Sequence, residues 1–572
     1  MNLHQRLLVL ILLLLAAPVA WWLARGLDDP PRPDELLPAD TLLFMHWNDM
    51  ARFAGQVAAS PMARQLARAD FQDTLRQLGV EETVTDRFAR RLQLVQSLQG
   101  LPLVPELLAG RGMLALLPNR SASSGLLPSL CASMVFFLPE DTPLLANRQL
   151  QLLPDPPGQK LAYLGLPIRR YRLQDGRILY TCQAYGLTLC AFAREALAHC
   201  LDQAVLHMIG GIQAAHGEKA WLTRHRRLPD KAGEFFCYAN IAGLRVQPLW
   251  ASALEPLWQD LPPEQAIIDH RVRSRADSLN LTLRFAPGVL DAWRRERGLA
   301  TAGRPPAAAS QDAATLLHLW SNWLTPAVAA KVADLISSTE LGAPLLAAAG
   351  NFLGRLSFTP DRFYRHFAPE LGLVIRGERN QNNQMKPLFA LYSRFTTGLS
   401  AQEQSDLKRH FQDFPKRTVS LSHGSQATVI GMADGMMQPA IAPMFGQLVL
   451  ADNLYMLQHM ENQLAAGGEE AVAPEPQTEW RAPLRASVYL FLRNRQVADA
   501  GAWLLRYLSS ARNERGVAIL SNRQKLFVHQ VALPFAATIG LAESSHFALA
   551  VSGNEAQAML ECIHPGPAPG KE

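Results

Sequence analysis

The stretch DGRILYTCQAYGLTLCA (residues 175–191) returns later in the chain as DGMMQPAIAPMFGQLVLA (434–451). Asp175-Gly176 matches Asp434-Gly435, Tyr185-Gly186 matches Phe445-Gly446, and the runs LTLCA and QLVLA end at Ala191 and Ala451. The offsets are 259, 260 and 260 residues, so spacing is kept across both turns. Two glycine turns around alternating apolar residues read as tight antiparallel hairpins. Their repetition implies one fold written twice.

Working outward, other segments recur in the same order. TLLFMHWN ending at Asn48 pairs with TLLHLWSN ending at Asn322, an offset of 274. AGRGMLAL from Ala109 pairs with APELGLVI from Ala368 at 259, and SMVFFLP with PLFALYS at 255. FFCYAN ending at Asn240 pairs with YLFLRN ending at Asn494 at 254, and LNLTLRFAP ending at Pro287 with LFVHQVALP ending at Pro534 at 247. Each copy then holds a strand-helix unit, two strands, a meander with a helix, a second strand-helix unit and a closing strand. The expected class is α+β: an internally duplicated body of largely antiparallel sheets with helices packed on one face, after an N-terminal apolar helix. Asn48, Asn240, Asn322 and Asn494 each end an apolar strand before a helical pattern. Asparagine caps helices and tolerates left-handed backbone, so these four read as scaffold.

Composition sets the outer bounds. The 572 residues are 48% hydrophobic and 18% charged, which describes ordinary globular domains with ample core. A formal charge of only +5 on this length gives no nucleic-acid footprint. Leu7 to Leu23 is an uncharged run of 17 residues between Arg6 and Arg25, close to the lower limit for spanning a bilayer. Trp21-Trp22 suits an interfacial belt, and Ala20 follows a poor cleavage pattern. An uncleaved signal anchor is therefore the favoured reading. A cleaved signal peptide and a buried N-terminal helix are the alternatives. Residues 1–27 form the anchor, 28–38 a proline-rich stalk, 39–299 the first repeat, 300–312 a linker, and 313–564 the second repeat. A flexible insertion is expected at 465–483 and a disordered tail at 565–572. Positive charge near the start places the chain in a bacterial inner membrane, single-pass, with its body in the periplasm; a cleaved periplasmic form is the second choice.

Chemistry is sparse. Phosphate loops, dinucleotide glycines, HExxH, paired CxxC, GxSxG and calcium loops do not occur in the sequence, which names no cofactor. His207, His216 and Glu218 lie near one another in sequence, but a metal site needs three or four convergent ligands. Cys182 and Cys190 flank the Tyr185-Gly186 turn and could face each other; two small core residues is the plainer reading. Two basic stretches, Thr223 to Lys231 and the set Arg271, Arg273 and Arg275, are candidate anion contacts or solvated strand edges. Met436, Met437 and Met444 surround a hairpin that is polar and basic in the first copy. They are candidates for apolar binding, with burial as the alternative.

LPADTLLFMHWNDMARF, the Y-R-L-x-D-G hairpin and ALAVSGNEAQAML together resemble an exported bacterial family catalogued only as a domain of unknown function. The resemblance spans most of residues 36–562. It implies an N-terminal signal or anchor with a duplicated extracytoplasmic region, and no catalytic residues. The expected function is a membrane-anchored extracytoplasmic binding or scaffold protein of the bacterial envelope, with an envelope protein or lipid as partner. An envelope hydrolase with a site between the halves, or a carrier of apolar ligands, is the alternative.

Overall fold

A computed structural model describes residues 36–565, apart from isolated positions and the segments 87–88, 90–107, 119–130, 141–150, 155–160, 174–175, 209–226, 248–260, 304–313, 338–369, 380–384, 395–408, 410–414, 432–437, 467–485 and 513–515. The apolar run Leu7 to Leu23, Met436, Met437, His216 and Glu218 lie outside the described residues. No helix among the described residues is long and apolar enough to cross a membrane.

The first copy supplies β1 (Leu43–Asn48), β2 (Arg111–Leu116), β3 (Met134–Pro139), β4 (Gln151–Leu153), β5 (Ala162–Tyr163), β6 (Leu166–Arg172), β7 (Ile178–Ala184), β8 (Leu187–Ala191), β9 (Phe235–Asn240), β10 (Gln265–Val272) and β11 (Ala276–Arg284). The second supplies β12 (Thr315–Ser321), β13 (Leu371–Arg379), β14 (Met385–Arg394), β15 (Lys416–Ser420), β16 (Gln426–Ile430), β17 (Ala440–Met444), β18 (Gln447–Ala451), β19 (Val488–Leu492), β20 (Ser544–Ser552) and β21 (Glu555–Ile563). The chain divides into two compact units, 1–53 with 96–269 and 54–95 with 270–572. In the first, neighbours run β6-β7-β8-β3-β2-β1-β9-β10. In the second they run β15-β16-β17-β18-β14-β13-β12-β19-β20-β21-β11, every pair antiparallel.

The eight-strand order of the first recurs strand for strand from β16 to β20 of the second. Val135 faces Ala191 as Ala390 faces Ala451, and His46 faces both Met113 and Phe236 as Trp320 faces both Gly372 and Tyr489. The aromatic-glycine turns are also the same: Tyr185 and Gly186 have φ of 58° and 71°, Phe445 and Gly446 of 46° and 71°. Positive φ at both positions of a two-residue loop is the turn that matches strand twist.

Two of the sequence pairings differ in the fold. LFVHQVALP is no strand: it lies in a helical run formed by Asn522–Phe527, a π-turn at Val528–Ala532 and Leu533–Ile539. The counterpart of β11 is β21, and the two closing strands pair with each other, Ala276 opposite Ile563 and Asn280 opposite Met559. Each copy thus closes with a hairpin, one strand more than the sequence pattern indicated. Asn240 and Asn494 are not equivalent either. The Asn240 N–H bonds the Leu42 carbonyl where the Arg493 N–H bonds Leu316, a slip of one residue. Asn240 caps the Ile241–Val246 helix by accepting from the Gly243 N–H at 2.9 Å, whereas Asn494 sits inside the first turn of the Asn494–Ser510 helix and donates to Ser545 Oγ. Asn48 and Asn322 cap nothing. Each amide ties a strand end to a distant carbonyl, Asp230 and Thr301 respectively.

Helices cover both faces of the first sheet rather than one. Leu197, Cys200 and Leu201 of the Arg194–Met208 helix pack with Phe44, Val135, Phe137 and Leu189. Ile241 and Leu244, with Phe53 of the Met50–Ala58 helix, pack with Trp47, Phe136 and Leu138 on the opposite side. That explains the unbroken apolar run MVFFLP: a strand buried on both faces has no polar side to alternate with. Leu36 and Leu37, expected in the stalk, belong to the first core.

Candidate functional site in the second copy

Because register equates the copies residue by residue, chemical differences between them stand out. Phe44 takes the place of His318, Phe137 of Tyr392 and Phe236 of Tyr489. Aligning the β10–β11 turn, where the Arg273 N–H bonds the Ala276 carbonyl, with the Ser552–Glu555 turn of β20–β21 sets Ile267 against His546. In the first copy all four are core, with the Phe44 and Phe236 rings 6.0 Å apart. In the second copy the same four positions are His, Tyr, Tyr and His.

These four polar side chains interact in sequence across the sheet. His318 Nε2 and the Tyr392 hydroxyl are 2.7 Å apart, and the His318 ring meets Tyr489 edge-on at 5.5 Å. The Tyr489 hydroxyl lies 3.3 Å from His546 Nδ1, and the His546 ring tilts over Phe491 at 5.0 Å. Tyr392 is on β14 and His318 on β12, so the ring must cross β13 to make its bond. It crosses at Gly372, which faces Tyr392 on one side and Trp320 on the other. A Cβ there would run into the Tyr392 ring. In the first copy that place holds Met113, opposite Phe137, and both lie in the core. Gly372 and Tyr392 are therefore one paired change.

Burial decides the electrostatics. His318 is 0% exposed, and burial pushes its imidazole down to about 3. His546 is half-buried and is pushed down to about 4, by burial first and the Arg493 charge second. Both rings are neutral at neutral pH. His318 Nδ1 is buried with no hydrogen-bond partner among the described residues. Whichever tautomer forms, one ring nitrogen stays unsatisfied, at a cost of about 1–3 kcal/mol. An unpaired nitrogen where the other copy has a phenylalanine carries no packing benefit that explains it.

The residues singled out from sequence fall elsewhere. Met444 is buried in the second core, on β17. Arg271, Arg273 and Arg275 do not share a strand face, because β10 ends at Val272. Arg273 pairs at 3.5 Å with the buried carboxylate of Glu561, and the Arg275 carbonyl accepts from the His564 N–H. In the basic stretch before Lys231, Arg227 turns inward to Glu234 at 2.9 Å and Asp269 at 3.7 Å. The buried Glu234 also accepts from the N–H groups of Asp230 and Lys231. Cys182 faces Leu189 and Cys190 faces Thr181, so the two thiols lie in different cores on opposite sides of the sheet, both unbonded. Among the described residues no His, Cys, Asp and Glu cluster could hold a metal.

Two of the four polar positions were visible in the sequence pairs. TLLFMHWN against TLLHLWSN aligns Phe44 with His318, and the 255 offset aligns Phe137 with Tyr392. The one-residue slip at Asn494 and the misassigned closing strand hid Tyr489 and His546.

No protein family matches the chain, and no curated protein does. A solved structure titled "Structure of crystal form III of TP0453" aligns with 48% of this chain and 90% of its own, at 8% identity and a TM-score of 0.21. A likeness that weak carries no argument about fold or activity.

Proposed function

We propose that the protein is a membrane-anchored, extracytoplasmic binding or scaffold protein of the bacterial envelope, in which the first copy is framework and the second is specialised. The observation that carries this reading is asymmetric divergence. Strand order and register are shared, while the polar core at His318, Tyr392, Tyr489 and His546 replaces apolar residues of the first copy. The apolar run Leu7 to Leu23, flanked by Arg6 and Arg25, supplies the anchor.

A hydrolase fits less well. A general base near neutral pH needs a pKa near 7 and access to substrate, and His318 has neither. A carrier of apolar ligands fits less well too, since Met444 fills core. The test is fractionation of cells expressing the full chain. It should stay with membranes through an alkaline wash, be open to protease from the periplasmic side, and be released by Leu14→Arg. Recovery in the cytoplasmic fraction refutes the proposal.

A further inference from the structure

The helical run of the second copy carries an exposed surface that its core does not use. On the Asn494–Ser510 helix, Trp503 and Tyr507 are 56% and 55% exposed, and their rings stack at 5.6 Å and 10°. Phe535 on the Leu533–Ile539 helix and Leu541 just after it are exposed as far. The two helices pack together. Two stacked aromatics more than half exposed are costly on a helix that could carry polar residues there.

Charge gives the patch a direction. Residues 494–541 contain six Arg or Lys against two Asp or Glu, on a chain whose total formal charge is +5. Among the described residues Arg495, Arg506 and Arg512 are exposed, and Asp499, between Arg495 and Trp503 along the helix, is an exposed acid. Trp and Tyr with Arg beside them are the residues that settle at a headgroup boundary, the rings at the interface and the guanidinium groups on phosphate. An anionic leaflet attracts such a segment by about 1 kcal/mol per basic residue near the surface.

Tether length supplies a second argument. Only residues 24–35 separate the apolar run from Leu36, which is already buried in the first core. Twelve residues reach at most about 40 Å fully extended. An anchored chain therefore keeps its body within about 40 Å of the bilayer, which raises the local concentration of any lipid-seeking surface it carries.

We infer that the aromatic and basic surface of residues 494–541 docks on an anionic lipid surface. This rests on the anchored reading above and names the partner it would bind. The test uses the full chain in nanodiscs of zwitterionic lipid, with or without phosphatidylglycerol, and reads hydrogen exchange at backbone amides of 494–541. Exchange in this segment should slow about tenfold in the anionic discs only. Trp503→Ser with Tyr507→Ser should remove the slowing without moving the thermal midpoint, since both side chains lie mostly in water. Arg506→Glu with Arg512→Glu should remove it too. Equal exchange in the two lipids overturns the inference while leaving the anchor intact. Release of the chain from both kinds of disc overturns the anchor instead. Vesicle flotation of the released chain then decides docking: binding to anionic vesicles alone supports it, and no binding or binding to both overturns it.

Discussion

Set side by side, the cores of the two copies solve one packing problem in opposite ways. In the first, Phe44, Phe137, Phe236 and Ile267 fill the space under the Arg194–Met208 helix with carbon alone. In the second, His318, Tyr392, Tyr489 and His546 occupy the corresponding places, and Gly372 replaces Met113 so that one tyrosine can reach across a strand. The apolar solution needs no partners and tolerates small shifts. The polar one depends on each member, because a buried donor or acceptor left alone costs more than its bond contributes. The backbone is indifferent to the choice, since register is preserved on both sides.

The largest way to break the second solution is at Gly372. Gly372→Ala forces the Tyr392 ring off β13 and with it the bond to His318. Overpacking and an orphaned polar pair together should cost about 3 kcal/mol or more, read as a lower urea midpoint. Gly372→Ala with Tyr392→Ala should recover part of that loss. If the double variant is no better than the single, the clash is not with this ring.

Next in size is Tyr392→Phe, which installs the first copy's residue without its surroundings. His318 then has no hydrogen bond left, and the expected cost is about 2 kcal/mol. His318→Phe with Tyr392→Phe replaces both partners by apolar groups and should lie within about 1 kcal/mol of the parent. Strong positive coupling between the two sites is the outcome expected, and plain additivity would falsify the idea that they form a unit.

Acid sharpens the same comparison. The folded pKa of His318, about 3, lies below its unfolded value near 6.5, so the unfolded chain binds more protons in between. Stability is therefore full above about pH 6.5 and falls as pH drops toward 3. Near pH 5 the loss from His318 alone is about 2 kcal/mol, from about 1.4 kcal/mol per pH unit. His546 acts in the same direction with less weight, being half-buried. Glu461 adds a loss only at lower pH. Its burial alone would raise its pKa, but hydrogen bonds from Ser425, the His423 N–H and Gln458 outweigh that and hold it below the usual range. Comparing the thermal midpoints of the parent and His318→Phe at pH 7 and pH 5 isolates the histidine. The parent's midpoint should fall further.

How much of this could be read from the chain follows from what each signal depends on. Turns are local, and both aromatic-glycine loops were legible because backbone geometry there is dictated by two residues. Strands buried on both faces were legible as apolar runs, but the same lack of alternation removed any mark of register. A shared Asn at 240 and 494 then drew the alignment one residue out of place, and the same one-residue parity left a facing Cys182–Cys190 pair open as the alternative to two core residues. LFVHQVALP looked like a strand because its apolar residues are dense. The correcting signal stood just upstream: Ser521 and Gln524 form a reciprocal capping box, which starts a helix. The polar core was not legible as a site, since proximity of β12, β14, β19 and β20 is a product of the sheet order.

The smallest effect separates the copies at their most similar feature. Tyr185 and Phe445 both hold positive φ, where a bulky side chain is strained and Asn is at ease. Phe445 is 51% exposed and projects at a hairpin tip, so Phe445→Asn should relieve strain at little loss of packing and stabilise by about 0.5–1 kcal/mol. Tyr185 is partly buried and packs against the first core. Tyr185→Asn relieves the same strain but uncovers that core, and the two changes should cancel to within about 0.5 kcal/mol. Equal stabilisation by both substitutions would mean that the Tyr185 ring contributes nothing to the core it touches. The aromatic at this turn would then be common ancestry in both copies rather than packing in either.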